Sequence, residues 1–382
     1  MNRRFNISVF VVSGICFFAN WFMLGELKNL WVAAQAPFFD FQGQWALCAY
    51  TLRGVDPYAI TGLEVPTIKE LGIIPAVWST SPWGLTLGNF FYPGFLSITN
   101  ALIYFLALNF FLLLMTAFAL RKRFRFVPIV LSAFFASFFI STYFGNAGAV
   151  ICCLLILSCI FADDLPILSG ILLSLAMIKP QVALPICFAL LLRKNFKVLT
   201  VAALIDLAAW GIAALITNQS PLTLLTEFFS IKTGGGTAFA GLFTLFLSEN
   251  LSLAMGLSML AGLVFIWLTF KDKKKFWACP ACLATTFFAY SFHNEFFILM
   301  FPALACLYLA YHAEKFSTKI LWLASFVFLS TGVYALYLFM EIFLGVVKSF
   351  WLARTIFAVV LILIGIFMAR NFSHLNCQKI FD

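Results

Sequence analysis

What most constrains this chain is a succession of long apolar runs that leaves little room for a soluble fold. Residues 98–120 carry no charged side chain, and residues 198–217 carry one, Asp206. A run of roughly 20 apolar residues is the length that crosses the hydrocarbon core of a bilayer as a helix. Soluble domains are about 45–50% apolar and about 25% charged. Here 63% of residues are apolar, 18% aromatic and 10% charged. The expected fold class is an all-α polytopic membrane protein.

Measured against roughly 17–25 residues per span, helices are expected near 5–24, 93–120, 126–144, 147–162, 166–179, 181–192, 198–217, 251–270, 276–292, 296–311, 319–340 and 351–370. That makes about twelve. The pair 166–179 and 181–192 is short and hinged at Lys179-Pro180. It reads either as two spans or as one interrupted, re-entrant unit, which is allowed where protein shields the freed backbone groups. The chain 1–382 reads as a single transmembrane domain with one large loop, 25–92. So long a connection exceeds an ordinary connector and suits a platform of short interfacial helices.

Orientation follows from the basic residues. Clusters at Arg3-Arg4, at Arg121, Lys122, Arg123 and Arg125, at Arg193, Lys194 and Lys197, and at Lys271, Lys273, Lys274 and Lys275 fall at every second connection. With both termini cytoplasmic, most of the 24 basic residues lie inside and the loop 25–92 is extracytoplasmic. The net charge of +9 is then an insertion signal, and no nucleic-acid footprint is present. The first apolar run is about 20 residues with no small-x-small site after it, so it reads as an uncleaved helix. The expected location is a bacterial plasma (inner) membrane.

Several chemistries find no support. Most of the ten cysteines, including Cys152-Cys153 and Cys279-Pro280-Ala281-Cys282, fall inside expected helices and read as small packing residues. There is no P-loop, no dinucleotide-binding glycine signature and no GxSxG. The paired acids Asp163-Asp164 fall on the cytoplasmic side. Asp40, Asp56, Glu64 and Glu70 lack the spacing that gathers several oxygens on a hard cation. No metal and no other cofactor is expected.

Polar groups near membrane depth are costly and mark functional sites. They gather at the outward helix ends. Asp40 stands among aromatics in Pro37-Phe38-Phe39-Asp40-Phe41-Gln42-Gly43-Gln44-Trp45. Arg53-Gly54-Val55-Asp56-Pro57-Tyr58, Tyr92-Pro93, Gly145-Asn146, Lys179-Pro180-Gln181 and Ser291-Phe292-His293-Asn294-Glu295 share that side. Their convergence predicts one extracytoplasmic site.

In this order, Asp40 with Trp45, Leu52 to Tyr58, Tyr92-Pro93, Gly145-Asn146, Gly170 through Ile178-Lys179-Pro180-Gln181, and Ser291 to Asn294, the chain resembles glycosyltransferase family 87 over roughly residues 35–300. These are polyprenol-phosphate-sugar-dependent membrane glycosyltransferases that include actinobacterial α-1,2-mannosyltransferases. The resemblance implies the C-type glycosyltransferase (GT-C) fold. It also implies transfer of a sugar, mannose first, from a lipid-carrier phosphate to an acceptor hydroxyl with inversion. The family's first-loop aspartate is its catalytic base and corresponds to Asp40. Implied partners are a polyprenyl-phosphate-linked sugar, a glycolipid or glycan acceptor of the cell envelope, and the bilayer.

The chemistry of the residues agrees with that role. An inverting transfer needs a carboxylate to take the acceptor's proton. The departing polyprenyl phosphate needs cationic or hydrogen-bonding help, for which Lys179 and His293 are the outward candidates. Gln44, Arg53, Tyr58, Tyr92, Asn146, Gln181, Asn294 and Glu295 are candidate substrate contacts. Plainer readings compete with each of these. Asp40 can be a helix N-cap, Lys179 a snorkelling side chain, His293 a turn residue, and Arg53 with Asp56 a loop ion pair. Trp45, Tyr58 and Tyr92 can form an interfacial aromatic belt, and Asn146 a cap or close-packing turn.

Two other classes remain. A secondary transporter fits twelve helices and would use Asp206, although no internal repeat is visible. A lipid-linked polysaccharide ligase, polymerase or flippase also carries a large outer loop, usually later in the chain.

Overall fold

The computed structural model describes residues 3–31, 38–58, 81–121, 124, 126–233, 243, 250–272, 276–288, 296–332, 335–336 and 346–374. Among these the chain is all-helical, with fifteen α-helices and no strand. In order they are α1 (Arg3–Trp31), α2 (Phe39–Leu52), α3 (Gly84–Leu87), α4 (Ile98–Arg121), α5 (Val127–Phe144), α6 (Gly148–Phe161), α7 (Pro166–Ala176) and α8 (Pro180–Leu192). There follow α9 (Phe196–Ile216), α10 (Pro221–Thr233), α11 (Leu251–Thr269), α12 (Cys279–Phe288), α13 (Met300–His312), α14 (Phe316–Val327) and α15 (Val346–His374).

The helices are built inside out relative to a soluble core. Two of them, α4 and α9, are long and apolar enough to cross a membrane, yet only 28% and 22% of their most apolar windows are buried. Phe111, Leu114 and Phe118 of α4 and Leu204 and Leu215 of α9 face outward. Polar side chains meanwhile sit inside. Asn20 donates to the Ala133 and Ser330 carbonyls, tying α1 to α5 and to the π-helical turn after α14. Ser158 and Ser169 bond reciprocally between α6 and α7. So large an apolar exterior around satisfied interior polar groups is compatible with a helical membrane protein.

Local signals explain the breaks. Pro166, Pro180 and Pro221 open α7, α8 and α10, positions where the missing N–H costs nothing. Gly170 lets α7 approach α9 closely: a Cβ there would stand 2.6 Å from Val201 Cβ and 2.8 Å from the Val198 carbonyl. At one end of this layer Arg193 joins Asp163 and Asp272, each at 2.9 Å, and lies over the Trp277 ring. That clamp closes α7 and α8 into an antiparallel hairpin, so its turn at residues 177–179 points to the opposite end. With 11 and 13 residues, each arm is only about 16–20 Å long at 1.5 Å per residue. That is short of a hydrocarbon core of about 30 Å, in keeping with the hinge expected at Lys179-Pro180.

Two elements differ from expectation. The helix α2 falls within the stretch 25–92, where no spanning helix is among those expected, and it is packed into the bundle, with Phe41, Ala46, Leu47, Cys48, Ala49 and Tyr50 all buried. And α10 forms within the stretch 218–250, which reads as loop in sequence. The nine described cysteines are free thiols, buried except for the partly exposed Cys187, as their packing role predicts.

Candidate functional site

Three connections meet at the end of the bundle opposite the Arg193 clamp. The first is the entry to α2. Phe38 caps it in the left-handed region with φ 61°, and its N–H donates to the Tyr143 carbonyl at 2.9 Å. Asp40 therefore lies in the first turn of α2 rather than at its cap, where the helix dipole favours a carboxylate.

The second is the α5–α6 connection. Gly145 ends α5 with φ 72°, and a Cβ there would lie 2.3 Å from Phe41 Cβ. Only glycine satisfies both the backbone angle and that approach. The Gly145 carbonyl accepts a hydrogen bond from the Tyr92 hydroxyl at 3.1 Å. Burial, and after it the Asp40 carboxylate, push the Tyr92 phenol well above its ordinary range. The ring therefore stays a neutral donor.

The third is the α7–α8 turn. Its freed carbonyls are met by side chains of the first loop: Trp83 Nε1 donates to Met177 O at 2.7 Å, and Ser81 Oγ reaches Met177 O and Ile178 O at 3.4 Å. Lys179 closes the turn as the residue before α8 and is only 7% exposed. It does not snorkel outward.

Asn146 joins these connections. Its Nδ2 donates to Asp40 Oδ2 at 2.7 Å, and its Oδ1 accepts from Lys179 Nζ at 2.6 Å. The charges of the two neighbours dictate that amide orientation, since a carboxylate accepts and an ammonium donates. Carboxylate and cation are thus held one amide apart by residues 40, 146 and 179. Gln44, one turn beyond Asp40 on α2, shares its helix face. Gln181, two residues past Lys179, has a buried Oε1 with no partner among the described residues.

Other candidates fall elsewhere. Arg53 is exposed at the far end of α2, about 20 Å from Asp40 along the helix at 1.5 Å per residue. No ion pair joins it to Asp56. Instead Asp56 Oδ1 accepts from the Tyr58 N–H at 3.0 Å, and Asp56 and Tyr58 turn inward toward α10. There Asp56 Oδ2 and Glu227 Oε2 are buried oxygens without a donor. Burial first, and after it the Asp56 carboxylate, push the Glu227 carboxyl up to about 7. The same burial and the two acids raise the Tyr58 phenol well above its usual value. Trp45, Tyr58 and Tyr92 are all buried, so they form no surface belt. Trp45 Nε1 holds the Leu96 carbonyl at 3.2 Å. Asp206, in α9, accepts from Ser174 Oγ at 2.7 Å, away from this corner. His293, Asn294 and Glu295 lie outside the described residues.

Sequence reasoning missed Glu227, Trp83 and Ser81. Glu227 had a readable signal, because Ser220 Oγ accepts from the Thr223 N–H at 3.0 Å ahead of Leu224 and Phe228, a helix start followed by an apolar stripe. Trp83 and Ser81 had none. Among the described residues no cluster of three or more His, Cys, Asp or Glu side chains is arranged to hold a metal ion. No protein-family model, curated protein or solved structure matches the chain.

Proposed function

We propose that the chain is an inverting hexosyltransferase of the C-type glycosyltransferase kind, embedded in a plasma (inner) membrane with both termini cytoplasmic. It takes a sugar, mannose first, from a polyprenyl-phosphate donor and passes it to a hydroxyl of a glycolipid or glycan on the extracytoplasmic face. Asp40 is the general base and Lys179 meets the departing phosphate, with His293 as a second candidate there.

The observation that carries this reading is the Asp40–Asn146–Lys179 bridge. Inversion at an anomeric carbon requires a proton acceptor on one face and stabilisation of the leaving oxygen on the other. A carboxylate and an ammonium one amide apart supply both without a metal. Lys179 is buried and Asp40 half-buried, and partial removal from water strengthens electrostatic help. The broken α7–α8 hairpin supports a recessed site that a lipid-borne phosphate reaches from the bilayer side.

Membranes containing the protein are expected to transfer radiolabelled sugar from a polyprenyl-phosphate sugar to an endogenous acceptor. A second reading, proton-coupled transport, draws on Asp206 bonded to Ser174 between apolar helices. Gradient-driven sugar uptake into vesicles free of lipid-linked sugar, with no transfer from any member of a polyprenyl-phosphate-sugar panel, would replace the first reading with the second.

A further inference from the structure

We infer that Asn146 is a positioning residue, holding Asp40 and Lys179 at a fixed spacing, and not a contact for the sugar. The inference rests on the reading of the site given above. Its basis is that the side chain has little bonding capacity left. An amide oxygen has two lone pairs. Both are occupied, one by Lys179 Nζ at 2.6 Å and one by the Gly148 N–H at 2.9 Å. One amide hydrogen goes to Asp40 Oδ2.

The backbone is equally committed. The Asn146 N–H donates to the Ser141 carbonyl at 2.9 Å, and its own carbonyl accepts from Ser141 Oγ at 2.8 Å. That hydroxyl in turn accepts from the Ala149 N–H at 3.0 Å. The residue is pinned by the turn that Gly145 makes possible, and Tyr92 holds the Gly145 carbonyl.

The arrangement has a consequence for chemistry. A carboxylate and an ammonium left facing each other in a poorly hydrated site collapse into a direct ion pair. The base would then be occupied by the lysine's protons, and the cation would be withdrawn from the phosphate. Asn146 gives each group one strong hydrogen bond and keeps them apart. Tyr92 faces Asp40, and Lys179 lies across the amide.

The test compares Asn146→Asp and Asn146→Leu in the full-length protein. Asn146→Asp keeps shape and acceptors but sets an acceptor against Asp40. Asn146→Leu removes both bonds. With a polyprenyl-phosphate sugar as donor, each variant is expected to lose about 10²-fold in kcat, the scale of a roughly 1 Å misplacement. The donor KM should change by less than about threefold, because ground-state binding is not what is lost.

An independent arm needs no activity. Isotope-edited infrared spectra assign the Asp40 carboxylate stretch by difference from Asp40→Asn, and that band should shift in Asn146→Leu. A raised KM with kcat retained, or an Asp40 band that Asn146→Leu leaves unmoved, overturns the inference. If the wild-type protein transfers no lipid-linked sugar, the functional reading falls while the infrared arm still decides the role of Asn146.

Discussion

Asp40 and Asp56 stand at opposite ends of α2, and their surroundings give them opposite characters. Asp40 meets an amide donor and, beyond it, a lysine. Asp56 meets a backbone N–H and another acid, Glu227. Two carboxylates that face each other cannot both ionise cheaply, which adds to the burial that raises Glu227. The Asp40 corner sets a carboxylate one amide from a cation, whereas the Asp56 corner brings two acids together where the segment after α2 meets α10. These two aspartates are thus separated by their partners and not by their own chemistry.

The contrast can be broken at several points. The largest effect is expected from Asp40→Asn, which should lower kcat by about 10²–10⁴-fold if Asp40 is the general base. Lys179→Met follows, with a loss of about 10²–10³-fold if the ammonium stabilises the leaving phosphate. Steady-state transfer assays measure both.

Next comes Gly145→Ala. It combines an unfavourable φ of 72° with a Cβ 2.3 Å from that of Phe41, and strain of this kind costs on the order of 1–3 kcal/mol. Thermal unfolding in detergent should register it, and activity should fall with it as Asp40 is displaced.

At the other corner the Glu227 carboxyl is raised by burial and by Asp56 to about 7 from an ordinary 4.5. A raised acid binds its proton more tightly in the folded state. Its stabilisation is complete below the ordinary value and is lost as pH climbs through about 7. Wild-type Tm should therefore decline over that window. Glu227→Gln should flatten the decline and raise Tm above neutral pH by a few degrees. The smallest effect is expected from Arg53→Ala, since Arg53 is exposed and remote from Asp40, and transfer rates should stay within about twofold of wild type.

Much of this contrast could be read in the sequence, but not its cause. The apolar runs locate α4 to α9 within a few residues, because length and composition alone dictate them. The alternation of basic clusters sorts Asp40, Asn146 and Lys179 to one end and Asp163, Arg193 and Asp272 to the other. The structure groups the first three at one end and joins the second three at the opposite one.

What spacing cannot encode is pairing across distance. Asn146 reaches Asp40 over 106 positions, and Glu227 approaches Asp56 from α10. Nor does composition say that α2 is buried. That depends on Gly145 and Gly94, whose missing side chains admit Phe41 and Ala49 at contact distance.

The central claim is tested most directly by measuring sugar transfer from a polyprenyl-phosphate donor with Asp40→Asn and Asp56→Asn side by side, at equal amounts of folded protein. The account predicts that Asp40→Asn abolishes transfer while Asp56→Asn, which keeps the acceptor for the Tyr58 N–H, retains most of it. Transfer by Asp40→Asn at the wild-type rate, or its loss in Asp56→Asn alone, would contradict the account.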